Sequence, residues 1–324
     1  MPKLPKDDLV IRCAYLFYKE RLNIKGVAER LDISRFKVSR YLKEAEDAGI
    51  VEVRFNIPDL QYQSLAMDIE EIFPVKRVVI VPVSADMSSE DVRRSVGHKG
   101  TEILKEFLND LSIGVTWGRT IADMVQDLPE REVQCTSIAE LTGGFGMISP
   151  KISTSSLAPL LAQKTNALCY QMHGPILSSN VTIAQSLLSD NSIVRTLNVS
   201  RKCDVAIFGM TPLNKNALLY RSDLITEQDI EYLKGKGVLG TILGRFFNAS
   251  GEEVETPFKD QAVSISWNNF LNIPERMALI GGVEKAKCIR SLMKAGIMTT
   301  VIMDSITAKA VLEETDSKGS ENEL

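Results

Sequence analysis

The sequence predicts an α/β protein with a small N-terminal helix-turn-helix domain of the winged type, followed by a large α/β domain with a parallel sheet. Helical patterns with a basic face occupy residues 1–57, and strand and helix patterns alternate through the rest of the chain. Charge divides at the same place. Residues 1–57 carry 12 Lys and Arg against 9 Asp and Glu, whereas residues 58–324 carry 26 against 33. A basic head on an acidic body indicates an end that binds nucleic acid.

Composition argues against several classes of protein. No segment approaches the roughly 18 apolar residues of a membrane span, and no apolar run follows the basic start, so we expect a cytosolic protein without membrane association. The five cysteines are an odd number without a CxxC pair, which argues against a disulfide framework or a zinc site. We expect buried free thiols. Two histidines are too few for most metal sites rich in histidine.

The head, residues 1–57, consists of three predicted helices. The first covers 7–20, where apolar residues recur at helical spacing. Asn23 is the predicted N-cap of the second, IKGVAERL, and Ser34 that of the third, RFKVSRYLKEAEDAG, which ends at Gly49. The DIS segment between them sets one helix across the other. The next segment, IVEVRFNI, alternates like a strand and predicts the wing.

The third helix has two faces. Its apolar stripe consists of Val38, Tyr41, Leu42 and Ala45. The other face carries four cations and a hydroxyl: Arg35, Lys37, Ser39, Arg40 and Lys43. Such a helix fits the major groove of DNA, although a solvated basic face in any helical domain gives the same pattern.

The body begins after an amphipathic linker helix, predicted within 58–74. Over residues 75–314, strand patterns such as VKRVVIVPV, SIGVTWG, DVAIFGM, ERMALIGG and TTVIMD alternate with helical ones. This order predicts a parallel sheet with helices on both faces. Residues 315–324 are polar, and we expect a frayed tail there.

Three glycine-containing loops follow predicted strands: GVTWGRT (114–120), LTGGFG (141–146) and LIGGVEK (279–285). Open α/β sheets bind ligands at the carboxyl ends of their strands, and amides near helix starts favour anions. Lys285 lies in the first turn of its predicted helix, where the helix dipole disfavours a cation and a bound phosphate would compensate. The glycines could instead serve only to form tight turns. Three such loops together favour a shared anion site.

The same segments resemble a known family. GVAERLDISRFKVSRYLKEAEDAGIV is similar to the N-terminal domain of the SorC family of bacterial transcriptional regulators, whose pattern reads roughly IAxxLGISRxxVSRLLxxAxxxGIV. GVTWGRT, GVLGTILGRFFNASGEEV and the segment from ALIGG to AVLE resemble later motifs of that family, so the resemblance runs from about residue 10 to 313. It implies a body resembling sugar-phosphate isomerases in fold, a sugar or sugar-phosphate effector, and assembly as a homodimer or homotetramer.

The resemblance also implies site residues. On the DNA side they are Lys25, Ser34, Arg35, Lys37, Val38, Ser39 and Arg40, with Lys25 near backbone phosphate. On the effector side they are Trp117, Gly118, Arg119, Thr120, Thr142, Gly143, Gly144, Arg221, Ser222, Thr241 and Lys285. Lys285 matches the family's phosphate-facing lysine, and Arg221 and Ser222 match a loop that closes over the ligand.

Three positions depart from the family pattern, and one of them is Thr211, which replaces the second glycine of the family's VGIGS. Thr241 stands where an acidic residue is common, so one hydroxyl replaces a charged acceptor. Thr142 stands where some members have a lysine able to form a Schiff base, so we expect no covalent capture.

The predicted function is a transcription regulator whose hold on double-stranded operator DNA is controlled by a small phosphorylated sugar or polyol. Release from DNA, as in a repressor, is the outcome we expect from effector binding, and activation stays open as an alternative. We expect no catalytic residue, metal or cofactor. Two alternatives stay open: a body that serves only as an oligomerisation scaffold, and a sugar-phosphate isomerase with Asp304 or His173 as its base. A dinucleotide-binding oxidoreductase is disfavoured because GGFGMIS lacks the third glycine of the fingerprint.

Overall fold

The computed structural model describes residues 6–51, 60–107, 110–145 and 154–319. The chain forms two compact units, residues 1–60 and 61–324. The predicted wing strand falls mainly on residues 52–57, which lie outside the described residues.

The first unit is a three-helix domain. Its helices are α1 (Lys6–Ala14), extended by a π-helical turn (Tyr15–Lys19), then α2 (Ile24–Leu31) and α3 (Arg35–Asp47). Both predicted N-caps are confirmed: the Asn23 side chain accepts a hydrogen bond from Gly26 N at 2.8 Å, and Ser34 Oγ accepts one from Lys37 N at 3.3 Å. Asp32 takes a left-handed conformation, with φ 50°, which ends α2 and turns the chain into α3.

The described residues of the second unit form ten strands. In chain order they are β1 (Arg77–Val81), β2 (Leu111–Val115), β3 (Cys135–Glu140), β4 (Leu168–Tyr170), β5 (Val205–Phe208), β6 (Thr211–Pro212), β7 (Val238–Ile242), β8 (Arg245–Asn248), β9 (Glu275–Ile280) and β10 (Thr300–Asp304). Seven of them form a parallel sheet in the order β1-β10-β9-β5-β2-β3-β4. The parallel-sheet α/β fold predicted from the sequence is confirmed.

Helices cover both faces of this sheet. The helices described after the first unit are α4 (Leu60–Ile72), α5 (Ser89–Lys105), α6 (Arg119–Asp127), α7 (Thr154–Thr165), α8 (Val181–Leu188), α9 (Asn191–Ser200), α10 (Leu218–Arg221), α11 (Glu227–Gly235), α12 (Pro257–Gln261), α13 (Trp267–Leu271), α14 (Ala286–Lys294) and α15 (Ser305–Gly319), with a 3₁₀ turn at Val283–Lys285. Strand β5 illustrates the layering. Val205 and Ile207 pack into the core under α5, α6 and α7, whereas Ala206 and Phe208 pack into the core under α4 and α14.

The predicted linker helix belongs to the second unit. Ile69 of α4 and the following Phe73 are buried in the same core as strand residues such as Val78 and Ile80. The Glu70 carboxylate accepts a hydrogen bond from Val78 N at 2.6 Å, which fixes the end of α4 against the start of the sheet. At the other end of the chain, α15 continues to Gly319, past the boundary predicted at residue 314.

The sequence reading missed a small antiparallel sheet in the order β6-β7-β8. Its hairpin turns at Leu243 and Gly244, which have φ values of 57° and 73°. Two successive positive φ angles are the geometry of the tight hairpin turn that usually carries Asn-Gly. A leucine in that position gives no turn signal.

Cysteine burial agrees with expectation at four positions and differs at one. Cys13, Cys135, Cys203 and Cys288 are buried, whereas Cys169 is exposed on the edge strand β4. Within the described ranges, no helix combines the length and apolar character needed to span a membrane.

Candidate functional site

A cavity of about 780 Å³ lies at the carboxyl ends of four neighbouring strands, β10, β9, β5 and β2. From β2 the strands are added in one direction, to β3 and β4. Strand β5 lies on the other side of β2, and β9 and β10 continue in that opposite direction. The cavity therefore includes the point where the strand order reverses, which is where open α/β sheets bind ligands. Its volume is within the range of small-molecule sites.

The loop after β2 contributes the predicted residues Trp117, Gly118, Arg119 and Thr120, and all four line the cavity. Gly118 is the N-cap of α6 and supplies no side-chain hydrogen bond to the helix start. The amides of the first turn of α6 are consequently left without a side-chain cap at the cavity. Uncapped amides at a helix start favour an anion.

The loop after β9 forms another part of the cavity wall, with Gly281, Gly282 and Lys285 among the lining residues. Gly282 has φ 112°, a conformation that L side chains rarely adopt. Its amide donates hydrogen bonds to Asp304 Oδ2 at 3.1 Å and to Thr307 Oγ1 at 3.0 Å. The loop is thus tied to the end of β10 and the start of α15.

Three cationic side chains in the cavity are available to a ligand. Arg119 and Arg221 have no ion pair or side-chain hydrogen bond within the described part of the chain, and Lys285 Nζ donates to the carbonyl of Gly281 at 2.7 Å. Burial lowers the pKa of the Lys285 ammonium; the Glu284 carboxylate opposes this effect, and the Arg119 guanidinium adds to it. An anion bound between Arg119 and Lys285 would relieve their repulsion.

Two buried polar atoms on the cavity wall lack a hydrogen-bond partner among the described residues: Trp117 Nε1 and Thr241 Oγ1. Thr241 is only 5% exposed, and the Trp117 ring is held edge-on by Phe145 with ring centroids 4.5 Å apart. Leaving such groups unpaired costs about 1–3 kcal/mol each. Both atoms are inaccessible to solvent in this structure, so a ligand hydroxyl would reach either of them only after a side-chain shift.

The remaining predicted loop, at residues 141–146, has a different role. Thr142 is fully buried, and the amides of Gly143 and Gly144 donate to the carbonyls of Val263 and Gly174, both at 2.8 Å. A Cβ on Gly143 would lie 2.6 Å from Gly174 O, so this glycine permits close packing of two backbones. These three residues are absent from the cavity wall. Their amides are not the free donors that the sequence reading expected.

Of the neighbouring residues Arg221 and Ser222, only Arg221 lines the cavity. Arg221, the last residue of α10, lines the cavity. Ser222 does not, and its hydroxyl donates to the Leu218 carbonyl at 2.7 Å, closing the short helix. The sequence reading also missed cavity residues. Asn214 and Asn216 lie in an irregular loop without a recognisable motif, and Arg93 on α5 forms an ion pair with Asp123 at 2.6 Å.

The two bases considered for an isomerase are placed differently. Asp304 lines the cavity, but its carboxylate accepts hydrogen bonds from Gly282 N, from Ile306 N and from both the amide and the hydroxyl of Thr307. It serves as the N-cap of α15, the role that the sequence reading favoured. His173 is exposed and does not line the cavity.

In the first unit, α3 exposes most of the residues predicted to contact DNA. Arg35, Lys37, Ser39 and Arg40 are exposed, and the Arg40 guanidinium lies 5.2 Å from the centroid of the Tyr41 ring. Ser34 caps the helix, and Lys25 on α2 is exposed with its ammonium 3.9 Å from the Glu29 carboxylate.

The prediction that Val38 contacts DNA was wrong. Its side chain is 0% exposed, because it lies on the helix face that packs with Tyr41, Leu42 and Ala45 into the three-helix core. It cannot contact DNA from that position. Its contribution is to fix α3 against the other helices.

Comparison with known proteins places this architecture in a family. Residues 60–313 match the family described as "Putative sugar-binding domain". The chain belongs to this sugar-binding family. The matched range includes α4 and every strand of the second unit, and it excludes α1, α2 and α3.

Proteins similar to this chain over nearly its whole length carry the names of regulators. The deoxyribonucleoside regulator of Bacillus subtilis (strain 168) is 25% identical over 311 residues, covering 95% of this chain and 98% of the relative. The erythritol catabolism regulatory protein EryD of Brucella abortus (strain 2308) is 24% identical over 316 residues, covering 96% and 98%. The full-length sorbitol operon regulator SorC of Klebsiella pneumoniae superposes with a TM-score of 0.73 at 22% identity, covering 96% of this chain and all of that one. The predicted resemblance to SorC-type regulators is confirmed.

Proposed function

We propose that this protein is a sugar-responsive, DNA-binding transcription regulator. The observation that carries the proposal is the pairing of two sites in one chain: an exposed basic helix in a helix-turn-helix unit, and a cavity with unpaired cations in a sugar-binding domain. Similarity to named regulators supports it, because it extends over 95% and 96% of this chain and so includes both units.

The effector is a small phosphorylated sugar or polyol. Arg119, Lys285 and the uncapped first turn of α6 form an anion-binding wall. Asn214 and Asn216 also line the cavity, and their side-chain amides are suited to hydroxyls. A phosphate at one end and hydroxyls at the other satisfy both parts of the cavity.

The protein acts as a binder rather than a catalyst. An isomerase needs a general base whose lone pairs are accessible to the substrate. Asp304 is engaged by three backbone or side-chain groups of its own helix start and by Gly282 N. Relatives over the whole chain carry the names of regulators.

The regulator works as a homodimer or homotetramer, since paired operator half-sites require paired heads. The protein is a repressor, and the effector weakens its binding to the operator. For this coupling, the effector must bind the DNA-free state more tightly than the DNA-bound state.

A two-step experiment tests the proposal with the full chain. Duplexes enriched from a randomised pool are first identified by sequencing. The enriched duplex is then titrated in gel shifts against pentose, hexose and polyol phosphates, their unphosphorylated counterparts and inorganic phosphate. We expect a specific duplex to be enriched and one phosphorylated compound to release it. Failure to enrich any sequence would refute the DNA-binding role, and an enriched duplex that no compound releases would favour the oligomerisation scaffold.

A further inference from the structure

The most exposed large apolar side chain in the described part of the chain is Phe36, which is 80% exposed. It is the second residue of α3, between Arg35 and Lys37. Its ring makes none of the aromatic contacts found among the described residues, and it is not part of the three-helix core. Within the described residues, the ring therefore has no packing role in the core of the first unit.

Helical spacing places Phe36 on the basic face. Ser39, Arg40 and Lys43 follow it at intervals of three, four and seven residues, and all are exposed. The buried residues Val38, Tyr41, Leu42 and Ala45 occupy the other side of α3. The ring therefore stands beside the groups proposed to contact DNA, near the helix N-terminus. Recognition helices contact base edges mainly with their N-terminal residues.

The chemistry of the major groove identifies what an exposed ring can recognise there. Guanine, adenine and cytosine present hydrogen-bonding groups, which a phenyl ring cannot pair with, whereas thymine also presents its C5 methyl group. Apolar side chains contact that methyl group, and the contact removes apolar surface from water. Flanking arginines and lysines hold the ring at the groove through phosphate or base contacts.

We propose that Phe36 is a specificity-determining residue that packs against the C5 methyl group of a thymine in the operator. This inference rests on the proposed DNA-binding function. It assigns one base preference to one side chain, at a position that sequence reading did not include among the DNA contacts.

Uracil substitution tests the contact directly, because deoxyuridine keeps the base pairing and hydrogen-bonding groups of thymidine and lacks only the methyl group. In the duplex enriched from the randomised pool, each thymidine of one half-site is replaced in turn. Affinities are measured for the unaltered protein, for Phe36→Ala and for Ile11→Ala, a matched variant at an exposed apolar residue of α1. Circular dichroism and sedimentation check that fold and assembly are unchanged.

We expect one uridine position to weaken binding of the unaltered protein and of Ile11→Ala by about fourfold, which corresponds to about 0.8 kcal/mol for one buried methyl group. Phe36→Ala should bind the unmodified duplex more weakly and be insensitive to the same uridine. Equal losses at every position in Phe36→Ala and in the unaltered protein would overturn the inference while leaving the DNA-binding role intact. A change of assembly state in Phe36→Ala would also overturn it, because it would make Phe36 a protein contact. A protein that enriches no duplex would remove both proposals.

Discussion

The carboxylate of Asp304 and the amide of Gly282 are joined by a hydrogen bond of 3.1 Å, which connects the end of β10 with the loop after β9. The same carboxylate caps α15 through the amides of Ile306 and Thr307 at 3.1 and 2.8 Å. One buried side chain therefore holds both the helix start and the loop that carries Lys285. Loss of the Asp304 side chain should therefore reduce both the affinity for the ligand and the stability of the fold.

Replacing Asp304 by Ala should lower the free energy of unfolding by on the order of 2–4 kcal/mol, because several buried donors lose a charged acceptor. It should also weaken effector binding, since the Gly282 loop is released. Urea unfolding and calorimetric titration measure the two effects.

Thr307→Val, which removes only the hydroxyl that accepts from Gly282 N, should weaken binding with a smaller loss of stability. Asp190→Ala, which removes the cap of α9 outside the cavity, should leave effector affinity unchanged; a loss equal to that of Asp304→Ala would contradict the role of the loop.

Lys285→Ala should weaken binding of the releasing sugar phosphate by about 10- to 100-fold, because a charge-assisted hydrogen bond to phosphate contributes about 1.5–3 kcal/mol. Operator affinity without effector should be preserved. Lys287→Ala is the matched control, since Lys287 lies two residues after Lys285 in the first turn of α14, is exposed and does not line the cavity. Equal effector response in the two variants would remove Lys285 from the site.

The lowered pKa of Lys285 predicts a pH dependence of effector binding. Lysine binds phosphate while protonated, and a lowered pKa means that the proton is lost at a lower pH than the usual value of about 10.4. Affinity should therefore fall on the alkaline side at a lower pH than for an ordinary lysine, in a range where phosphate is already a dianion. Binding should be accompanied by proton uptake, measured by calorimetry in buffers of different ionisation enthalpy. In Lys285→Arg, which stays charged, the alkaline fall should disappear; persistence of the fall would assign it to another group.

Arg35→Ala combined with Arg40→Ala should weaken operator binding at least about tenfold at fixed salt, since each arginine contact to base or phosphate contributes about 1–3 kcal/mol. Any phosphate contacts among them would also make the salt dependence less steep. Gel shifts at several salt concentrations measure both quantities. Arg12→Ala is the control, because Arg12 lies on α1 and is paired with Asp8 at 3.0 Å. Unchanged operator affinity in the double variant would reject α3 as the recognition helix.

Glu140 should make the second unit less stable as the pH rises. Burial raises the pKa of its carboxyl to about 7, partly opposed by the hydrogen bond from Met172 N, whereas in the unfolded chain this carboxyl ionises near its ordinary value. Between those two pKa values, the folded state binds more protons than the unfolded chain. The contribution of Glu140 to the free energy of unfolding is therefore complete at low pH and is lost as the pH rises through about 7. Glu140→Gln should stabilise the protein at pH 8 by on the order of 2 kcal/mol and have little effect near pH 4. Unfolding curves at both pH values, with exposed Glu71→Gln as the control, measure the difference; an equal effect at both values would contradict it.

The features that were predictable from sequence are those set by local chemistry. Asn23 and Ser34 could be assigned as caps because a short polar side chain before an apolar helical pattern has few other roles. Apolar strands such as β5 could be recognised because both faces are buried.

Other features depend on partners that are distant in the sequence. The amides of Gly143 and Gly144 are occupied by carbonyls of residues 263 and 174, so the loop's appearance as an anion site was misleading. The hairpin turn at Leu243 is held in its unfavourable conformation by burial rather than by turn chemistry. Arg221 reaches the cavity whereas Ser222 does not, a distinction that depends on the short helix α10.

The burial of Ile69 and Phe73 against the sheet sets a practical limit for dissecting the protein. A recombinant fragment intended to carry the sugar site alone must begin no later than Leu60. Starting at Arg77, where the first strand begins, would strip two anchoring side chains from the hydrophobic interior and leave it open to solvent. Such a shortened piece would be expected to aggregate, and its failure to bind a metabolite would say nothing about the intact receptor.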